Sequence, residues 1–190
     1  MDNKMVHKEL LEILKVIDLI CEKENLSYMI QSGTLLGAVR ENGFIEWDDD
    51  ADIMMHRRDF DKFESISHKH LRNTEFYFDY SDRVPKVCRK DNPKIHVDIF
   101  IIDALPNNVF MWKLKVIGLK LLQGMMKKDI DYKNYNLKGK VLVFITSLMG
   151  CLMSDRLKLK LYKKLSKLGN KEKSNWVFIS NELYRFMNFR

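Results

Sequence analysis

One run of hydrophobic residues with an acid at its centre constrains this fold more than any other feature. Residues 95–102, Ile-His-Val-Asp-Ile-Phe-Ile-Ile, are rich in β-branched side chains and almost continuously apolar. Such a run is typical of a strand inside a sheet. Asp98 interrupts it, and an isolated carboxylate is costly to bury. The run therefore predicts a central strand whose acid either reaches a cleft or is neutralised by a cation.

Helical and extended patterns alternate around this strand. Apolar residues at spacings of three and four predict amphipathic helices, and short β-rich runs bounded by turn residues predict strands. The predicted helices before residue 108 are 6–25, 35–40 and 58–70, and the predicted strands are 28–31, 50–55, 76–80, 84–89 and 95–102. The remainder is predicted to be helical over 111–126, 138–153 and 155–168, whereas the aromatic tail 176–190 has no interpretable pattern.

Charge separates the chain into two regions. Residues 1–108 hold 15 Lys and Arg against 21 Asp and Glu, whereas residues 109–190 hold 18 against 5. An acidic, Asp-rich region suggests a metal site, and a basic region with long aliphatic stretches suggests phosphates or an anionic membrane surface. Lysines that merely solvate helices are an equally weighted alternative.

Several functional classes are excluded by the sequence. The three cysteines are far apart, which supports neither a disulfide scaffold nor a cysteine-based zinc motif. No Walker loop, dinucleotide fingerprint or serine nucleophile elbow is present, and the N-terminus lacks the pattern of a cleaved signal peptide. Residues 141–153 are apolar but too short to span a membrane; a buried core helix is favoured over a helix in the membrane interface.

Two aspartates and a glycine turn carry the chemistry of the first region. Asp50 and Asp52 are separated by one residue on a predicted strand, so their side chains should share a face. Paired carboxylates repel unless a cation such as Mg²⁺ or Mn²⁺ lies between them, and Asp98 can add a third ligand if its strand is a neighbour. Ser32-Gly33-Thr34 lies at a strand-to-helix junction, where backbone N–H groups can face phosphate.

Two segments, SGTLLGAVRENGFIEWDDDADIMM and HVDIFIIDALP, give the chain a family resemblance. From residue 26 to about 106 the sequence resembles the nucleotidyltransferase fold and, within it, the LicD-type phosphotransferases. The resemblance implies an α+β protein: a nucleotidyltransferase-like catalytic core over 1–108, with a mixed sheet flanked by helices, then a mainly helical basic region over 109–190, shortened relative to the family.

The same resemblance implies roles for individual residues. Gly33 with Ser32 or Thr34 would form the phosphate-facing, cofactor-binding turn. The catalytic carboxylates and ligands of Mg²⁺ or Mn²⁺ would be Asp50, Asp52 and Asp98.

The implied activity is transfer of a phosphorylated group, such as phosphocholine, from a CDP-linked donor to a cell-surface glycan or glycolipid of the lipopolysaccharide or teichoic acid type. The expected location is cytoplasmic, with peripheral contact at the inner face of an anionic membrane, and nucleic acid is not an expected partner. Two alternatives stay open. One is a nucleotidyltransferase acting on a small molecule, an RNA or a protein. The other is a truncated, non-catalytic membrane-surface protein.

Three smaller signals accompany these residues. Trp47 precedes the acidic run and is predicted to lie in the core, although it could instead line a pocket and stack on a base or a choline ammonium. His96 shares a strand face with Asp98 and is a candidate partner or general base, with a purely structural histidine favoured. Arg40 and Lys94 could contact phosphates or be ordinary surface charges.

Overall fold

The computed structural model describes residues 3–127, 136–169, 176–179 and 182–185. The chain divides into two compact units, Met1–Ile102 (unit 1) and Asp103–Arg190 (unit 2). The sequence predicts a division after residue 108, a few residues beyond this boundary. That division stays a prediction.

Unit 1 is built from helices and strands that alternate along the chain, and its last strand runs two residues beyond the unit. The elements are α1 Asn3–Glu24, β1 Met29–Ile30, α2 Ser32–Arg40, β2 Ala51–His56, α3 Arg57–Leu71, β3 Phe76–Asp79, β4 Lys86–Arg89 and β5 His96–Ala104.

The five strands form a mixed sheet in the order β1-β2-β5-β4-β3. Neighbours β2 and β5 are parallel, and the other pairs are antiparallel. The strand predicted to be central, β5, is indeed the middle strand. This architecture confirms the α+β prediction.

The core of unit 1 lies on one face of this sheet. Along β2, the side chains of Ala51, Ile53 and Met55 are fully buried, and the intervening residues are half-buried. Helix α1 adds Leu10 and Ile13, both fully buried, as the three-and-four spacing predicted. The alternation leaves the second face of β2 and β5 partly open, and Asp52 and Asp98 lie on that face.

Unit 2 is mainly helical, as predicted. It contains α4 Val109–Met125, α5 Leu137–Cys151 and α6 Asp155–Ser166, and α4 packs against both other helices. Each helix starts at a polar cap that accepts backbone N–H groups: Asn108, Asn136 and Ser154. The small core comprises Leu105, Val116, Leu119, Tyr162 and Phe178.

The aromatic tail forms a structure that its sequence did not reveal. Strands β6 Trp176–Ile179 and β7 Glu182–Arg185 pair in antiparallel fashion. Strands of four residues are too short to display a clear two-residue period. The pairing of β6 with β7 is therefore not visible in the local sequence pattern.

Two expectations about burial are wrong. Trp47 is 80% exposed rather than part of the core, because it lies in the loop before β2 and not on an element that faces the sheet. The segment 141–153 is not a buried core helix, since its large apolar side chains are mostly exposed on α5. No helix in the described ranges is both long and apolar enough to cross a bilayer.

Candidate active site

The sheet register brings Asp52 and Asp98 side by side. Asp52 on β2 is the direct partner of Asp98 on the parallel strand β5, and Asp98 is in turn the partner of Lys86 on β4. Residues paired in this way project from the same face of a sheet. The two strands are therefore neighbours, which is the condition that the sequence set for Asp98 to join the acidic pair.

Lys86 was not predicted, and it lies against the third carboxylate. Its Nζ atom is 3.3 Å from Oδ1 of Asp98 and 3.4 Å from Nε2 of His96. Oδ1 of Asp98 is nevertheless buried and accepts no hydrogen bond, so the ammonium contact is an ion pair without good hydrogen-bond geometry. His96 Nε2 lies 3.6 Å from the same oxygen, which places it beside the acid as its spacing predicted.

Asp50 lies immediately before β2 rather than on it, since the strand starts at Ala51. The pKa of Asp52 is nonetheless raised to about 6, first by burial and then by the charges of Asp50 and Asp98, while a hydrogen bond with Ser32 lowers it. Burial and the charge of Asp50 also raise the pKa of Asp48. The charges of Asp50 and Asp98 thus act on Asp52, and the charge of Asp50 acts on Asp48 as well.

The glycine turn and the acidic run hold each other in place. Thr34 is buried, and its Oγ1 accepts a 2.8 Å hydrogen bond from the backbone N–H of Asp52. The carbonyl of Asp52 accepts another from the N–H of Gln31, at 3.1 Å. A Cβ atom on Gly33 would lie 2.1 Å from Oδ2 of Asp48, so this position has no room for a side chain while the carboxylate stays where it is.

Helix α1 fixes the loop that carries Asp48. The Nε2 atom of His7 donates to the carbonyl of Asp48 at 2.5 Å, and the His7 ring stacks on Phe44 with centroids 4.9 Å apart. Asn3 donates to the carbonyl of Glu46 at 3.0 Å. Three side-chain contacts from the first two turns of one helix therefore hold the segment that leads into the acidic run.

A second glycine lets this loop approach α2. A Cβ atom on Gly37 would lie 2.6 Å from the carbonyl oxygen of Gly43 and 2.9 Å from the backbone N of Ile45. The Gly37 carbonyl also accepts the N–H of Glu41 at 2.8 Å. Because the obstructing atoms belong to the backbone, the close approach depends on glycine here.

The chemistry of these donors fits a hard divalent cation. Carboxylate oxygens are the preferred ligands of Mg²⁺ and Mn²⁺, the pKa values of Asp48 and Asp52 are raised partly by neighbouring acids, and Asp98 has a buried oxygen without a hydrogen bond. As the side chains stand, however, no three His, Cys, Asp or Glu within the described ranges form a group that could hold a metal. The assignment of Asp50, Asp52 and Asp98 as ligands stays a prediction.

Sequence reasoning missed three residues of this site. Asp48 belongs to the same acidic run and could have been included on that ground. His7 and Lys86 carry no local signal, because they lie 41 and 12 residues away from the acids that they contact. Only the packing of α1 and the register of β4 against β5 reveal them.

Comparison with known proteins assigns the same region to a protein family. Residues 25–135, more than half of the chain, match the family described as LicD/FKTN/FKRP, nucleotidyltransferase domain. The chain is 36% identical over 114 residues to a lipopolysaccharide cholinephosphotransferase LicD from Haemophilus influenzae. It is 32% identical over 114 residues to the uncharacterized protein RP689 of Rickettsia prowazekii.

These alignments cover only part of each protein. They include 51% and 53% of this chain but 43% and 41% of the two relatives, so the chain spans less than half the length of the curated relatives it matches. The family match nevertheless contains the glycine turn, the acidic run and the central strand with Asp98. On this basis, the chain belongs to the LicD family.

Proposed function

We propose that this protein is a LicD-like phosphotransferase that depends on a divalent metal. It moves a phosphorylated group, such as phosphocholine, from a CDP-linked donor to a glycan or glycolipid acceptor. The donor class and the metal follow from the resemblance and from the carboxylate chemistry. The acceptor class follows from the relative whose name specifies lipopolysaccharide.

One observation carries the proposal. Asp52 and Asp98 are direct partners on parallel strands, on the half-buried face of the sheet, and a family match covers both. Two like charges directly opposite each other on neighbouring strands destabilise a sheet unless positive charge offsets them. Their juxtaposition supports a site that receives positive charge from outside the chain.

The residues around this pair have distinct tasks in the proposed reaction. Asp50, Asp52 and Asp98 would hold Mg²⁺ or Mn²⁺, which when bound would screen the donor phosphates and stabilise the charge that develops during transfer. The free N–H groups at the start of α2, near Ser32 and Gly33, suit a phosphate.

Two further residues could assist the donor. Lys86, beside Asp98, places a positive charge at the same face. Trp47 is exposed next to the acidic run, where its ring could hold a base or a quaternary ammonium.

The test is nucleotide release from a panel of donors. Wild-type chain and the Asp52→Asn and Asp98→Asn variants are incubated with CDP-, UDP-, ADP- and GDP-linked donors, in Mg²⁺, Mn²⁺ or EDTA, with a lipopolysaccharide extract as acceptor. We expect CMP release only from a CDP-linked donor with metal, and at least a 100-fold loss in both variants. Asp49→Asn is the matched control, because Asp49 is exposed in the same acidic run and should keep its rate within about twofold.

Three results would overturn the proposal: CMP release that is unaffected by EDTA, release retained in Asp52→Asn, or no release from any donor by folded protein supplied with acceptor. Mass analysis of the acceptor separates the alternative chemistry. An added phosphocholine or similar group supports phosphotransfer, whereas an added nucleoside monophosphate supports a nucleotidyltransferase.

A further inference from the structure

Helix α5 exposes its large apolar side chains, whereas its small residues Thr146 and Gly150 are buried. Between 47% and 79% of each of seven side chains is exposed, and helical geometry places them on one broad face. They are Leu137, Val141, Leu142, Phe144, Ile145, Leu148 and Met149. A helix that packs in water normally turns this kind of face toward the core.

The opposite face of α5 is the one that packs on α4. Thr146 is buried there, and a Cβ atom on Gly124 of α4 would lie 2.8 Å from its Oγ1. A Cβ atom on Gly150 would lie 2.4 Å from the carbonyl oxygen of Met125. Small residues at the helix contact with large apolar residues facing outward are the arrangement found where the surroundings of a helix pair are lipid.

Helix α4 adds a second exposed apolar stripe. Phe110, Leu114, Ile117 and Leu121 follow one another at spacings of four, three and four, and each is between 39% and 73% exposed. Exposed apolar residues scattered singly are ordinary, but a concentration on two helices that pack together marks an interaction surface. We name the exposed apolar residues of α4 and α5 the apolar face.

The positive charge of unit 2 indicates which kind of partner binds the apolar face. Residues 103–127 and 136–169 of unit 2 contain 12 Lys and Arg against two Asp. Lys113 and Lys120 are exposed on α4, as are Lys140 on α5 and Arg156 at the start of α6. A second copy of this chain would bring like charges together, whereas anionic lipid attracts such residues at about 1 kcal/mol per charge near the surface.

We infer that the apolar face docks on the surface of an anionic lipid bilayer. With 15 residues, α5 is about 22 Å long, which is shorter than the roughly 30 Å hydrocarbon core of a bilayer. The helices therefore lie in the interface, with apolar side chains among the acyl chains and lysines at the headgroups. This inference does not depend on the proposed phosphotransfer.

Vesicle co-sedimentation of the full chain tests the surface without any donor or metal. The vesicles contain phosphatidylcholine alone or phosphatidylcholine with 30% phosphatidylglycerol, in low and high salt. We expect partition into the anionic vesicles that weakens in high salt. Phe144→Glu with Leu148→Glu should weaken it at least 10-fold, and Leu114→Glu should weaken it as a single change on α4.

The matched controls carry the same new charge elsewhere. Leu19 on α1 and Val39 on α2 are 63% and 73% exposed in unit 1, so Leu19→Glu and Val39→Glu should bind as wild type does. Circular dichroism verifies that every variant is folded. If the double variant does not fold, the vesicle binding of Leu114→Glu decides the test. Loss of phosphotransfer with intact vesicle binding would reject only the proposed function.

Three outcomes would overturn the docking surface. The first is no partition of the folded wild-type chain into anionic vesicles. The second is equal partition of wild type, Phe144→Glu with Leu148→Glu, and Leu114→Glu. The third is a stable dimer in light scattering that Phe144→Glu with Leu148→Glu converts to monomers, because a second copy would then occupy the apolar face.

Discussion

At the scale of single residues, the surroundings of Asp52 make the stability of the folded chain depend on pH. Its pKa is raised from an ordinary 3.8 to about 6 by burial and by Asp50 and Asp98. Between pH 3.8 and about 6, the folded chain therefore keeps a proton on Asp52 that the unfolded chain has released. The contribution of this proton to stability is fully present below pH 3.8 and is lost as pH rises through about 6.

It follows that Asp52→Asn, which removes a charge that burial and like charges oppose, should raise the melting temperature of metal-free protein at pH 7.5. The gain should vanish near pH 4, and the measurement is thermal unfolding followed by circular dichroism in EDTA. Asp49→Asn is the control, because Asp49 is exposed in the same acidic run. A melting temperature for Asp52→Asn that is lower than wild type at pH 7.5 would contradict this account of the charge balance.

A second residue-scale prediction concerns Gly33, whose missing side chain makes room for the Asp48 carboxylate. Gly33→Ala should displace that carboxylate and reduce donor turnover at least 10-fold, while the chain still folds. Gly43→Ala is the control, because no atom lies within 4 Å of the Cβ it would add. Turnover assays and melting curves of both variants provide the comparison, and equal turnover in the two would show that Asp48 need not stay in place.

At the scale of elements, one lysine joins the ends of two helices. Lys158 on α6 is 6% exposed, and its Nζ donates to the carbonyls of Met125 at 3.3 Å and Gly150 at 3.2 Å. These carbonyls lie at the C-terminal ends of α4 and α5, where helices leave acceptors unpaired and where a positive charge is favourable. An ion pair with Asp155 completes its contacts.

Lys158→Met should therefore destabilise unit 2, since it leaves buried carbonyls without this donor at a cost of about 1–3 kcal/mol. Urea unfolding followed by circular dichroism measures the loss. Lys160→Met is the matched control, because Lys160 is exposed on the same helix and should change stability by less than about 0.5 kcal/mol. Equal stabilities of the two variants would remove Lys158 from this role.

The elements also show why some sequence predictions succeeded. The period of α1 predicts its buried face, because a helix of 22 residues repeats the pattern over six turns. The central position of β5 follows from its nearly continuous hydrophobicity. The β6–β7 pair was missed because four-residue strands depend on each other, and the exposure of α5 was missed because an apolar run alone does not tell what surrounds it.

At the scale of the whole molecule, the two units have very different cores. In the described residues, the core of unit 1 holds 20 buried hydrophobic residues, whereas that of unit 2 holds five. Burial of apolar area is the main favourable contribution to folding, so the units should not be equally stable.

We therefore expect unit 2 to open first. In native-state hydrogen exchange followed by mass spectrometry, backbone amides of α4, α5 and α6 should exchange at lower urea than those of β2 and β5. A single unfolding step shared by all these probes would show that the units unfold together.

The sequence by itself determined the elements of unit 1, the family and most of the acidic residues of the candidate site. These depend on local period, turn chemistry and a contiguous motif. Only the tertiary structure decided that Asp52 and Asp98 are direct partners, that Lys86 lies against Asp98, and that His7 binds the carbonyl of Asp48. It also decided that Trp47 is exposed. It also decided that α5 turns its large side chains outward. These properties depend on strand register and helix packing between residues far apart in the chain, and no local pattern encodes them.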